Sequence, residues 1–150
     1  MDNEPVTAKS LSRTYMIDGG TFEKNYKDAP SDFRTWAQRD HASDWVLLPD
    51  NMGAHLGIDE TSFCHEVYTI LHNKDGHGKK HTVIAMIKGT KPSEVVKVLM
   101  SLPEDMRLKV ADITMDLSNS MGAIAKSAFP NAVIIRDCFH VIQRCGEGIE

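Results

Sequence analysis

From Leu56 onward, apolar and polar positions fall into short runs whose period changes along the chain. Leu56–Phe63 predicts one strand and Glu66–Asn73 a second, with Val67, Thr69 and Leu71 alternating against Tyr68, Ile70 and His72. Lys74-Asp-Gly-His-Gly78 is turn chemistry centred on Asp-Gly, and Lys80–Gly89, rich in Val and Ile, predicts a third strand. The period then becomes helical: Pro92-Ser-Glu94 opens a helix with Val95, Val96, Leu99 and Met100 on one face. Pro103 interrupts it, and Glu104–Lys109 continues as a further short turn. Lys109–Leu117 returns to strand, Ser118–Ala128 predicts a helix ending before Pro130, and Asn131–Asp137 a fifth strand. A last helix is expected over Cys138–Cys145, ending at Gly146.

Three antiparallel strands in a meander, followed by two βα crossovers, is the layout of an RNase H-like fold. The expected class is therefore α/β, a mixed sheet with helices on both faces. Residues 1–54 read differently, being polar and broken by Pro5, Gly19, Gly20, Pro30, Pro49 and Gly53. Phe33–Arg39 is helical in pattern, with Ser31 or Asp32 as N-cap, and Trp45-Val-Leu-Leu48 is apolar enough to pack on a neighbour. The division expected is a linker region over 1–54 and a core over 55–150. Trp36 and Trp45 are read as ordinary packing residues in preference to base-stacking ones.

Composition narrows the function classes. With 41% apolar residues in 150, there is material for one core, but no run approaches the roughly 20 residues needed to cross a bilayer, so no membrane partner is expected. The opening Met-Asp-Asn-Glu has neither a basic nor an apolar segment of a secretory signal. Cys64, Cys138 and Cys145 are odd in number and contain no CxxC, which argues against a disulfide framework and favours a reducing cytoplasm. His55, His65, His72, His77 and His81 lack zinc spacing and are expected at the surface. Lys79, Lys80, Lys88 and Lys91 form a loose basic group, read as a solvated edge ahead of a phosphate-contacting stripe. A net charge of −4 argues mildly against this chain gripping a polyanion unaided.

Two acidic residues stand out by context. Asp59 follows Leu56-Gly-Ile58 inside the first strand, and Asp116 follows Ile113-Thr-Met115 at the end of the fourth. A lone carboxylate in an apolar strand is costly to desolvate, and two are easier to explain if both face a divalent cation. The fold order makes these strands neighbours, where like charges repel unless a metal neutralises them. Such a pair suits two-metal phosphoryl transfer, with cations about 4 Å apart and Mg²⁺ the expected ion. The plainer alternative is that each Asp starts a turn, Asp116 capping the helix from Ser118. Glu60 should point to the opposite face from Asp59, as a solvated residue or an indirect partner of the pair. Asp137 and His140 lie three apart after the fifth strand; they either cap and pack the last helix or lie beside the carboxylates, shaping the site or contacting DNA.

The motifs Leu56-Gly-Ile-Asp-Glu-Thr-Ser62, Met86-Ile-Lys-Gly-Thr-Lys91, Met115-Asp-Leu-Ser118 and Asp137-Cys-Phe-His-Val141 occur in this order. Together they resemble the branch of bacterial insertion-sequence DDE transposases that reads G-I-D-E, D-x-S and D-x-F-H-V. Trp36 and the stretch from His41 to Pro49 resemble the linker before the catalytic core in the same proteins. The resemblance implies that Asp59 and Asp116 are the first two carboxylates of the triad, holding Mg²⁺ or Mn²⁺. Asp137 and His140 match an element outside the triad. It further implies a partner in transposon-end DNA, a second copy or a full-length transposase as protein partner, and a nucleoid-associated place in a bacterial cytoplasm. The family's third acidic residue, a Glu on a later helix, has no match. Glu147 and Glu150 sit too close behind the last motif and beside Gly146 and Gly148. Zinc-binding and helix-turn-helix segments ahead of the core are not visible either. The expectation is thus a truncated core supplying two of three carboxylates, inactive alone. The alternatives are a fragment that only binds DNA or another transposase, and a compact nuclease or resolvase of the same fold.

Overall fold

The computed structural model describes residues 7–76 and 79–137, which fall in two compact units, Met1–Ala42 and Ser43–Glu150. In the first unit, α1 (Ala8–Tyr15) and α2 (Gly19–Asp28) pack on each other, and each opens on a side-chain cap. The Thr7 side chain accepts from the Ser10 N–H and the Asp18 carboxylate from the Thr21 N–H, satisfying donors that the first turn leaves open. Ser31 caps a short 3₁₀ turn over Asp32–Arg34, as the sequence suggested, but no α-helix continues to Arg39. Phe33 packs against Trp36, with ring centroids 6.4 Å apart, so that tryptophan is engaged in packing.

The second unit is built on a six-stranded mixed sheet. Its strands are β1 (Trp45–Leu47), β2 (His55–Phe63), β3 (Glu66–Asn73), β4 (Val83–Lys88), β5 (Asp112–Met115) and β6 (Val133–Arg136). They lie in the order β1-β4-β3-β2-β5-β6. β2, β3 and β4 form the antiparallel meander, and β5 and β6 join β2 in parallel. This mixed α/β arrangement agrees with the expected class and is compatible with an RNase H-like fold. The stretch read as linker contributes β1, an edge strand paired antiparallel to β4 with Trp45 opposite Ile87.

The β2–β3 hairpin closes through Cys64 and His65, both at positive φ (51° and 65°). That is the backbone of a two-residue turn that matches the strands' twist. In β4 the register slips by one opposite Leu71 and His72, leaving Ile84 without a partner in β3. Its carbonyl instead accepts from the Leu48 N–H at 2.7 Å, and both Ile84 and Ala85 are buried.

Three helices connect the strands: α3 (Pro92–Leu99), α4 (Glu104–Arg107) and α5 (Asn119–Ala128). α5 buries Met121, Ile124, Ala125 and Ala128, a stripe at helical spacing. α3 contributes Val95 and Leu99, and the two helices pack on each other and on the sheet. Beneath them lie Leu56, Ile58, Leu71, Ile113 and Met115, all essentially without exposure. α3 and α5 share this face of the sheet. The helix expected over Cys138–Cys145 lies outside the described residues. No helix among the described residues is long and apolar enough to cross a membrane.

Candidate active site

The parallel ladders decide where the chemistry sits. Ile58 pairs with Met115, and Met115 with Arg136. The next residue on each strand is Asp59, Asp116 and Asp137, so three aspartates come level at the carboxyl ends of three neighbouring strands. Adjacent strands lie about 4.8 Å apart. The ladder still holds at this level, since the Asp137 N–H donates to the Met115 carbonyl at 2.8 Å.

Alternation along the strands sorts the side chains by face. Leu56, Ile58, Ile113 and Met115 turn to the helices, whereas Gly57, Asp59, Thr114 and Asp116 turn the other way. There they line a cleft of about 260 Å³ together with His72, Lys74 and Asp137. Asp59 and Asp116 are thus in one cleft, on adjacent strands, as expected. The reason differs in one respect from the desolvation argument. β2 is buried over Leu56–Ile58 and exposed from Asp59 on, and Asp116 is half-buried, so neither carboxylate is sealed in the core. Glu60 is exposed and does not line the cleft. Ser118, not Asp116, occupies the N-cap position of α5. His140, Cys138, Cys145, Glu147 and Glu150 lie outside the described residues.

The opposite end of the cleft is basic. Lys74 opens a 3₁₀ turn directly after β3, and its Nζ donates to Thr114 Oγ1 at 2.6 Å. The His72 ring lies over Gly57 so closely that a Cβ there would overlap Cε1 and Nε2 of the ring. The expectation of a surface His72 is therefore corrected: it is half-buried and part of the cleft. A glycine inside a central strand marks such a close approach, and Gly57 was the available signal. Lys74 had none, because its place depends on the hairpin register.

At the amino-terminal ends of β2 and β5, His55 Nδ1 bonds to the Asp112 carboxylate, the residue opposite it in the ladder. That bond, and then the Asp112 and Asp75 charges, raise the imidazole above its ordinary value of 6.5, against the opposing charge of Lys74. Two members of the loose basic group are ion-paired. Lys88 pairs with Glu66 at 3.0 Å and Lys91 with Glu94 at 2.9 Å, each partner raising the lysine's pKa.

Asp59 and Asp116 are acceptor-only oxygen donors reachable from solvent, a set suited to a hard cation that keeps several of its waters. Among the described residues, no three His, Cys, Asp or Glu side chains converge as a metal-holding group. Asp137 therefore shares the cleft without completing a three-ligand set.

No curated protein sequence matches the chain significantly. A family model described as transposase, of the ISL3 group of DDE enzymes, matches residues 56–150, which include β2 apart from His55, the strands β3 to β6 and the whole aspartate row. The chain belongs to the ISL3 family of DDE transposases.

Proposed function

We propose that the chain supplies Asp59 and Asp116 as two of the metal-holding carboxylates for DNA strand cleavage and transfer, and that alone it turns over poorly. A role connected with transposition, with DNA as the general kind of partner and a divalent metal as the general kind of cofactor, follows from the family. The finer reading rests chiefly on one observation: the ladder brings Asp59 and Asp116 level at the carboxyl ends of adjacent parallel strands, in one cleft.

Two carboxylates one strand spacing apart hold hard cations by charge and by oxygen lone pairs. When bound, Mg²⁺ or Mn²⁺ supplies activation of the attacking water or 3′-hydroxyl and stabilisation of the leaving oxygen. The strands fix the carboxylates' separation, and β2 and β5 are held by a buried apolar layer, so little reorganisation is needed when the cations and DNA arrive. The cations would also offset the acidic charge that disfavours a polyanion. Transposon-end DNA as the target, a second copy or a longer transposase as protein partner, and action at the bacterial nucleoid belong to the same proposal.

The test is nicking of supercoiled DNA and of end-bearing duplexes in Mg²⁺ or Mn²⁺. At most trace nicking is expected, and that trace should disappear in Asp59→Ala and in Asp116→Ala. Vigorous cleavage lost in Asp59→Ala would overturn the weak-alone part. Metal-dependent cleavage that persists in both variants would overturn the assignment of the carboxylates.

A further inference from the structure

We infer that Lys74 is a phosphate-binding residue, holding a non-bridging oxygen of the DNA phosphodiester next to the one presented to Asp59 and Asp116. This rests on the strand-cleavage reading above and adds a residue that the family motifs do not contain.

Lys74 differs from the other lysines whose partners are described. Lys27, Lys88, Lys91 and Lys109 each pair with a carboxylate at 2.9–3.1 Å. Lys74 lines a cleft containing three aspartates, yet its described hydrogen bond is to a neutral hydroxyl, Thr114 Oγ1 at 2.6 Å. An ammonium has three protons, so this bond positions the charge without saturating it. A lysine serving only to neutralise the aspartates would sit on them.

The turn holds Lys74 at that distance. Asn73 Oδ1 accepts from the Asp75 N–H at 3.0 Å, closing the chain reversal in which Lys74 sits. Thr114 lies two residues before Asp116 on β5 and opposite Gly57 in the ladder. The anchor is therefore one pleat period, about 6.6 Å, from the carboxylate row. Cations at the aspartates and the ammonium at Thr114 make a positive line along the strands. A DNA strand laid on that line would meet one phosphate at the metal end and the next at Lys74. Between the two, Gly57 contributes no side chain, and the His72 ring lies over it as the floor of the cleft.

The experiment uses the full chain and a short fluorescein-labelled duplex of mixed sequence, with Ca²⁺ replacing Mg²⁺ and binding followed by anisotropy across a salt series. Removing one phosphate contact should lower the slope of log K against log salt by about 0.9 in Lys74→Met. Lys74→Arg should keep the wild-type slope, and Thr114→Val should fall between. Lys74→Gln stands in should the methionine variant fail to fold. Mn²⁺ affinity should be unchanged or higher in Lys74→Met. A wild-type slope in Lys74→Met or Lys74→Gln would overturn the inference while leaving the carboxylate reading standing. So would an arginine variant as deficient as the methionine one. A wild-type chain without salt-sensitive binding would overturn the reading and the inference together.

Discussion

Arg107 offers a sharp test of how the helical layer is held on the sheet. It lies in α4 and is only 6% exposed, yet no carboxylate partners it among the described residues. Its Nε donates to the Leu102 carbonyl at 3.2 Å and its Nη1 to the Ala128 carbonyl at 2.9 Å. Ala128 is the last residue of α5, where a cation also meets the negative end of the helix dipole. The guanidinium therefore ties the loop after α3 to the far end of the helix that begins just beyond Asp116. Arg107→Met keeps the length and removes the donors. Two hydrogen bonds from a charged donor contribute about 1.5–3 kcal/mol each, and an orphaned buried carbonyl costs about 1–3 kcal/mol. Against this stands release from burying a charge, worth several kcal/mol. The net expectation is a loss of about 2–4 kcal/mol. In a domain of about 100 residues, each kcal/mol lowers Tm by about 4–8 °C. Arg107→Lys keeps the charge but cannot bridge both carbonyls, and should lose about half as much. Urea unfolding in a Trp36→Phe background, which leaves Trp45 of β1 as the only tryptophan, reports on the sheet directly. A methionine variant within about 0.5 kcal/mol of the parent, or above it, would refute the reasoning, because desolvation would then outweigh the bonds.

The His55–Asp112 pair makes stability depend on pH in a defined direction. Since His55 is raised above its ordinary value of 6.5, its contribution is fully present below that pH and is lost as pH rises through the raised value. The urea midpoint of His55→Gln should thus lie below the parent's in acid and converge on it in alkali. The effect should shrink in high salt because the imidazole is exposed, and a pH-independent difference would contradict the assignment. Gly57→Ala should cost about 1–3 kcal/mol, because the new Cβ displaces the His72 ring. In His72→Ala the same change should be neutral or stabilising by up to about 1 kcal/mol, and equal costs in both backgrounds would remove the close approach as the cause.

The core's strands and helices were legible because they are periodic. α5 shows its stripe at Met121, Ile124, Ala125 and Ala128, and β5 shows its alternation at Ile113 and Met115. β1 was not legible as a strand, because three residues carry no period and its identity comes from pairing with β4. α1 and α2 were hidden for another reason. They lie in a polar, Gly-interrupted stretch, and α2 has no buried residue to announce it, so their helicity shows in the Thr7 and Asp18 caps and in their packing on each other. In the site, Asp59 and Asp116 were visible as acids closing apolar runs. That they stand level follows from the parallel register, which residue order alone does not contain. Lys74 and His72 were missed because they arrive from the antiparallel neighbour, and only the pairing of His72 with Gly57 brings them over the cleft.

The central claim is that Asp59 and Asp116 act as one cation-binding pair, and Mn²⁺ binding measured by electron paramagnetic resonance on the intact chain tests it without relying on turnover. The account predicts saturable binding that is lost in Asp59→Asn and equally in Asp116→Asn, with no further loss in the double variant. Glu60→Gln, whose side chain does not line the cleft, should bind as the parent does. Mn²⁺ affinity unchanged in either single aspartate variant would contradict the claim.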